Sequence, residues 1–214
     1  MHVLFVCTGN VCRSVIAERL TRAFADRHGL HDLTAESAGV RALVGFGVEP
    51  LAAQTITGLG GDPDNFKARR FKPEMAQRAD LVLAMTEQIR DDVARQAPDT
   101  AHYCFTLLEA FRIAKVSGAR TIPEMDRARN DLAFVGRENI ADPSSLSPQR
   151  YLEVGDAIAE ALLPLLFALH LHQGRSTDAQ GRPQLIVLDG GKSTRTAPAP
   201  QVAFYDSGRI GRHA

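Results

Sequence analysis

The sequence predicts an α/β fold built on a four-stranded parallel sheet with helices on both faces. Three observations carry that reading. Apolar strand-like runs alternate with helix-like runs along most of the chain, which is the order that builds a covered parallel sheet. Residues 81–85, Leu-Val-Leu-Ala-Met, are apolar without a break, as in a strand buried on both sides. The first strand-like run passes into the first helix-like run through a short loop that contains Gly and Asn.

Taken in order, residues 2–6 (His-Val-Leu-Phe-Val) read as strand one. Residues 13–28 read as a helix ended by Gly29. Residues 33–37 give strand two, and residues 40–49 a loop lying over the first one. Pro50 opens a helix to about residue 59, and Gly60-Gly61-Asp62-Pro63 makes a turn. A short helix spans 73–78 and strand three 81–85. Thr86 caps a helix to residue 96. Residues 101–105 read as strand four and 107–116 as a helix. Residues 117–146 look irregular. Ser147 and Pro148 supply an N-cap and an N1 proline for a long apolar helix to about residue 172, which Pro164 is expected to kink or shorten. From 174 to 214 Gly, Pro, Ser, Thr and Arg dominate. That composition predicts a flexible C-terminal tail behind a domain of residues 1–173.

Composition narrows the function. The chain has 214 residues, 44% hydrophobic and 23% charged, with a formal net charge of zero. That suits an ordinary globular domain and argues against a nucleic-acid or acidic-membrane partner. Three cysteines and a strand at the very start, with no room for a targeting segment, predict a reducing, cytoplasmic setting. No pair of the seven histidines has metal-ligand spacing, so no metal is expected.

The chemistry concentrates between Cys7 and Ser14. A cysteine at a strand end, just before a helix, meets unpaired backbone N–H groups and the positive end of the helix dipole. Such a place binds anions and favours a thiolate over a thiol. Arg13, in the first helical turn, presents a planar fork that matches two phosphoryl oxygens. Thr8, Gly9, Asn10, Val11 and Cys12 then form the wall of a phosphate-binding loop. Gly9 is expected to supply a positive φ or a close backbone approach, Asn10, which tolerates left-handed geometry, to hold the loop open through local side-chain hydrogen bonds, and Ser14 to donate a hydrogen bond to the sulfur. Cys12, so close behind Cys7, reads as a redox partner that could shield the nucleophile as a disulfide. Cys104 ends an apolar run and reads as core.

The string from Val6 to Ser14 resembles the signature of the low-molecular-weight protein tyrosine phosphatases, a family that also includes thiol-dependent arsenate reductases. Further segments are similar in order: Glu36-Ser37-Ala38-Gly39, Ala68-Arg69-Arg70 with Lys72-Pro73-Glu74, residues 79–86, and Asp142-Pro143. The resemblance covers about four-fifths of the chain. It implies a cysteinyl-phosphate mechanism without cofactor. Cys7 is the nucleophile, Arg13 the phosphate holder and Asp142 the general acid. It also implies that Ser37 supports Asn10. Asp126 and Asp131 are rivals for the acid, and Asp142 is preferred because it precedes the final helix as the family pattern asks. The implied substrates are phosphotyrosine proteins or small aryl phosphates. An arsenate reductase using a small thiol and a non-catalytic phosphate-binding module are the alternatives.

Several positions depart from that family. Ser144 and Ser145 stand where two tyrosines often follow Asp-Pro. Leu43, with Phe46 nearby, stands where an aromatic residue often meets the substrate ring. Phe66 replaces a histidine that often supports the loop.

Overall fold

The computed structural model describes residues 1–131, 138–144 and 147–173. Its centre is a parallel sheet of β1 (His2–Cys7), β2 (Thr34–Gly39), β3 (Leu81–Ala84) and β4 (Cys104–Thr106), in the order β2-β1-β3-β4. In register, Phe5 stands between Ser37 of β2 and Leu83 of β3. Val3 to Val6 and Leu81 to Ala84 are each fully buried at every position. Alternate residues of a strand point to opposite faces, so unbroken burial means that both faces are covered.

The covering helices are α1 (Arg13–His28), α2 (Pro50–Gly58), α3 (Pro73–Gln77), α4 (Glu87–Gln96), α5 (Leu107–Ser117), α6 (Ile122–Asp131) and α7 (Pro148–Gln173). Their ends follow local chemistry. Gly29 takes φ 65° and closes α1 with its N–H on the Ala25 and Asp26 carbonyls. Glu49 caps α2 ahead of Pro50, Thr86 caps α4, and Thr106 with Glu109 forms a reciprocal capping box on α5. On α7, Tyr151, Val154, Ile158, Leu162, Leu165 and Leu169 recur at three- and four-residue steps and are all buried.

Three expectations are corrected. Residues 117–146 are not wholly irregular, because Ile122–Asp131 forms α6. Met125 anchors it, fully buried in the core. Helix α7 runs through Pro164 to Gln173 without being shortened. Its buried apolar stripe holds the turn in place despite the missing N–H. Strand four begins at Cys104, and the residues before it form a 3-10 helix, Pro98–Tyr103. Pro98 at the first position and the Ala97–Thr100 hydrogen bonds favour that tight turn. The expected tail, 174–214, lies outside the described residues, as does Ser145. No helix among the described residues is long and apolar enough to cross a membrane.

Candidate active site

The loop from Thr8 to Cys12 leaves the C-terminal end of β1 and enters α1 at Arg13. Parallel sheets place such loops outside the carboxyl ends of their strands, where helix N-termini converge. The residues that open to solvent there line a cleft of about 220 Å³: Cys7, Thr8, Gly9, Val11, Cys12, Arg13, Arg41, Leu43, Asp142 and Ser144. Hollows of about 410 and 500 Å³ elsewhere are larger, but no thiol lines either.

Hydrogen bonds beneath the cleft run in one direction, and their polarity can be read from the backbone outward. The Arg69 amide N–H donates to Asn10 Oδ1 at 2.8 Å. That fixes the Asn10 amide so that Nδ2 faces two serines, donating to Ser14 Oγ at 3.0 Å and Ser37 Oγ at 2.9 Å. With its oxygen already accepting, Ser14 turns its hydroxyl proton toward Cys7 Sγ, 2.9 Å away. The Asn10 backbone N–H also donates to that sulfur at 3.2 Å. Ser37 in turn donates to Glu18 Oε2 at 2.5 Å. Glu18 is almost fully buried and pairs with Arg22 at 2.7 Å. Cys7 therefore receives two hydrogen bonds that suit a thiolate.

This network redistributes roles within the loop. Asn10 and Ser14 are fully buried and support the cleft rather than line it. Asn10, not Gly9, takes the left-handed conformation, with φ 55°. Gly9 has neither a positive φ nor a tight neighbour. A Cβ there would meet Val11 Cγ2 at an ordinary 3.6 Å. The close approach falls on Gly39 of β2, where a Cβ would stand 2.5 Å from the Thr8 carbonyl oxygen and 2.9 Å from the Asn10 nitrogen. Neither Glu18 nor Gly39 was singled out from sequence for these contacts. For Glu18 a signal existed: an acid one helical turn after Ser14 on a buried face. Phe66 has no place in this network and lies instead 5.5 Å from the Arg19 guanidinium.

Arg13 is nearly buried, and its fork is already oriented. Nη1 donates to the Ile140 carbonyl at 3.1 Å, and Nη2 donates to Thr8 Oγ1 at 3.4 Å and to Asp142 Oδ2. Asp142 is thus brought to the cleft from 129 residues away. Its other oxygen, Oδ1, accepts from the Ser144 hydroxyl at 2.7 Å and the Ser144 N–H at 3.1 Å. Partial burial pushes the Asp142 carboxyl up. The Ser144 hydrogen bonds and the Arg13 charge outweigh it, and the carboxyl sits below its ordinary value. Asp126 lies on α6, where it faces Arg129 at 3.9 Å and does not line the cleft. The side chain of Asp131 is outside the described residues.

Cys12 is buried, and burial together with the neighbouring Cys7 pushes its thiol up to about 12. Cys104 lies in β4, away from the cleft, with burial raising its thiol to about 12 as well. The three cysteines are free thiols. The 40–49 loop is held against the cradle: the N–H groups of Val40, Arg41, Leu43 and Glu49 donate to the carbonyls of Cys7, Thr8, Gly9 and Val11 at 2.9–3.0 Å. Leu43 lines the cleft, while Phe46 is 65% exposed and does not. Among the described residues, no group of three His, Cys, Asp or Glu side chains is placed to hold a metal ion.

This chain is similar in sequence and in fold to known proteins. Residues 2–174 match the family described as low molecular weight phosphotyrosine protein phosphatase. The chain is 40% identical over 86 residues to the low molecular weight protein-tyrosine-phosphatase Wzb of Salmonella typhi, a stretch that is 40% of this chain and 54% of Wzb. It therefore spans about half the length of that relative. It is 37% identical over 113 residues to the protein-arginine-phosphatase of Bacillus subtilis, covering 51% of this chain and 71% of that protein. Among solved structures, the low molecular weight protein tyrosine phosphatase from T. tengcongensis superposes with a TM-score of 0.61 at 28% identity, over 78% of this chain and 97% of that one. With a family match over most of its length and the same fold in solved relatives, this chain belongs to the low molecular weight phosphotyrosine protein phosphatase family.

Proposed function

We propose that this chain is a metal-independent protein tyrosine phosphatase of the cytoplasm, acting through a cysteinyl-phosphate intermediate. The observation that carries it is the convergence of Cys7, Arg13 and Asp142 on one small cleft at a helix N-terminus. A phosphoryl dianion entering the cradle takes the N–H groups of the first helical turn and the Arg13 fork. Arg13 Nη2 now has two suitors, the phosphoryl oxygens and Asp142. As it turns to the phosphate, Asp142 loses its cation and faces a dianion, which favours its protonated form.

The Cys7 thiolate attacks phosphorus, the S–P bond forms and the P–O bond to the leaving group breaks. Asp142 gives its proton to the departing oxygen. In the second step Asp142 accepts a proton from water as that water attacks phosphorus. The S–P bond breaks, releasing inorganic phosphate and the Cys7 thiolate held by Ser14 and the Asn10 N–H.

The rim favours an aryl over a guanidinium leaving group. Val11 and Leu43 offer apolar walls, the exposed Arg41 would repel a cation, and Asp142 is the only carboxylate among the described residues that line the cleft. An arsenate-reducing relay through three cysteines is disfavoured because Cys104 is buried in β4.

The test is hydrolysis of a phosphotyrosine peptide, a phosphoarginine peptide and a small aryl phosphate, each with and without chelator, beside thiol-coupled arsenate reduction. The tyrosine peptide and the aryl phosphate should turn over, unaffected by chelator. Cys7→Ser should abolish turnover while inorganic phosphate still binds, and Arg13→Ala should lose both. Asp142→Asn should lower kcat/KM, which reports formation of the intermediate, by about 10²–10⁴ for poor leaving groups and far less for good ones. Phosphatase activity that survives in Cys7→Ser overturns the assignment.

A further inference from the structure

Asp142 lies ahead of α7, and its placement comes from the residues just before it. Glu138 pairs with Arg112 of α5. Next, Asn139 and Glu87 exchange two hydrogen bonds. The Glu87 backbone N–H donates to Asn139 Oδ1 at 2.7 Å, and Asn139 Nδ2 donates to Glu87 Oε2 at 3.0 Å. Then Ile140 donates its N–H to the Met85 carbonyl at 2.8 Å and accepts from Arg13 Nη1 at 3.1 Å. Glu87 is the first residue of α4, so its N–H has no partner within the helix. The Asn139 side chain fills that vacancy from 52 positions away and at the same time grips the Glu87 carboxylate. The segment before the acid is thus fastened in turn to α5, to the start of α4 and to the end of β3.

Building on the phosphatase reading, we propose that Asn139, gripped by Glu87, is a positioning residue for the general acid. Its bonds set the register in which Asp142 meets the leaving oxygen. Only Ile140 and Ala141 lie between Asn139 and Asp142, so the chain cannot absorb a slip at Asn139 before it reaches the acid. A displacement of the order of 1 Å at a reacting group can cost about 10²-fold in rate. The cradle itself is built from β1, α1 and β2, and Asn139 bonds to Glu87 rather than to it; the link between this segment and the cradle is the Ile140 carbonyl, one of three acceptors that hold the Arg13 fork. Loosening Asn139 should therefore harm proton delivery and spare oxyanion binding. A residue that merely holds the fold together would show no such division.

The experiment compares kcat/KM, which reports the steps up to cysteinyl-phosphate formation and so only the acid role of Asp142, for phenyl phosphate, a poor leaving group, and for 2,4-dinitrophenyl phosphate, a good one. Thermal melting and inhibition by inorganic phosphate are followed alongside. Asn139→Ala should lose about 10- to 100-fold on phenyl phosphate and little on the dinitrophenyl ester, with phosphate inhibition unchanged. Glu87→Gln keeps an acceptor for Asn139 Nδ2 and should stay near wild type. Glu87→Ala keeps only the backbone half of the exchange and should fall between. If Asn139→Ala does not fold, Glu87→Ala against Glu87→Gln gives the same contrast. An equal loss on both esters, or no loss, overturns the positioning role. Asp142→Asn is run beside them. If it too lacks leaving-group dependence, the general-acid assignment fails. If it shows that dependence and Asn139→Ala does not, only the positioning role fails.

Discussion

Asn10 carries the heaviest structural load in the cradle, and its replacement separates backbone strain from hydrogen bonding. Its side chain makes three bonds: 3.0 Å to Ser14, 2.9 Å to Ser37 and 2.8 Å from the Arg69 N–H. The residue is fully buried, and its φ is 55°. Removing three hydrogen bonds at a net value of about 1 kcal/mol each costs about 3 kcal/mol. An L-residue lacking the Asn side chain pays a further 1–2 kcal/mol or so for the left-handed backbone. Asn10→Ala should therefore lose about 4–5 kcal/mol and Asn10→Gly about 3, with glycine relieved of the strain. Urea unfolding of the two variants beside wild type measures both figures. Turnover should fall in both, because nothing then orients the Ser14 hydroxyl toward Cys7. If Asn10→Gly is no more stable than Asn10→Ala, the strain argument is wrong. If both lose less than about 1 kcal/mol, the buried chain of hydrogen bonds does not hold the loop.

Three further outcomes follow from the geometry. Ser144→Ala removes the 2.7 Å hydroxyl bond to Asp142 and keeps the N–H. The carboxyl should rise, moving the high-pH limb of kcat/KM, which reports the free enzyme and needs Asp142 protonated, to higher pH; a downward move refutes the role of Ser144. The same carboxyl, held low in the fold, stabilises it above the ordinary value of about 3.9, and that contribution is lost as pH falls through the lower folded value. Ser144→Ala should narrow that window in acid melts. Gly39→Ala would set a Cβ 2.5 Å from the Thr8 oxygen. It should cost about 1–3 kcal/mol and weaken inhibition by inorganic phosphate, and unchanged melting with unchanged inhibition would contradict the close approach. Peroxide should oxidise Cys7 to the sulfenic acid, from which the Cys12 sulfur displaces water to give a Cys7–Cys12 disulfide. With the Cys12 thiol raised to about 12, closure should quicken as pH rises. Mass spectrometry that finds Cys7 joined to Cys104, or only sulfinic and sulfonic acids at Cys7, argues against this shield.

The sequence by itself determined whatever depends on neighbours along the chain. The unbroken apolar runs determined the buried strands, Thr86 and Pro50 determined helix starts, and Gly29 determined a helix end, because caps and propensities act within a few residues. The cradle was legible for the same reason: Cys7 to Ser14 is one continuous segment, and its strand–loop–helix setting dictates its chemistry. Tertiary structure decided the rest. Of the two loop residues able to take a left-handed position it chose Asn10 over Gly9, because Asn10 is held by Ser14 of α1, Ser37 of β2 and Arg69 of the loop before α3. It moved the crowded glycine to Gly39, which sheet pairing of β2 with β1 sets against the loop. It seated α6, whose start carries a local signal in the reciprocal Thr121–Glu124 cap, by burying Met125 against the core. It joined Asn139 to Glu87 and Asp142 to Arg13 across 52 and 129 residues. Contacts at such separations are set by how helices and strands pack, and no local pattern of residues encodes them.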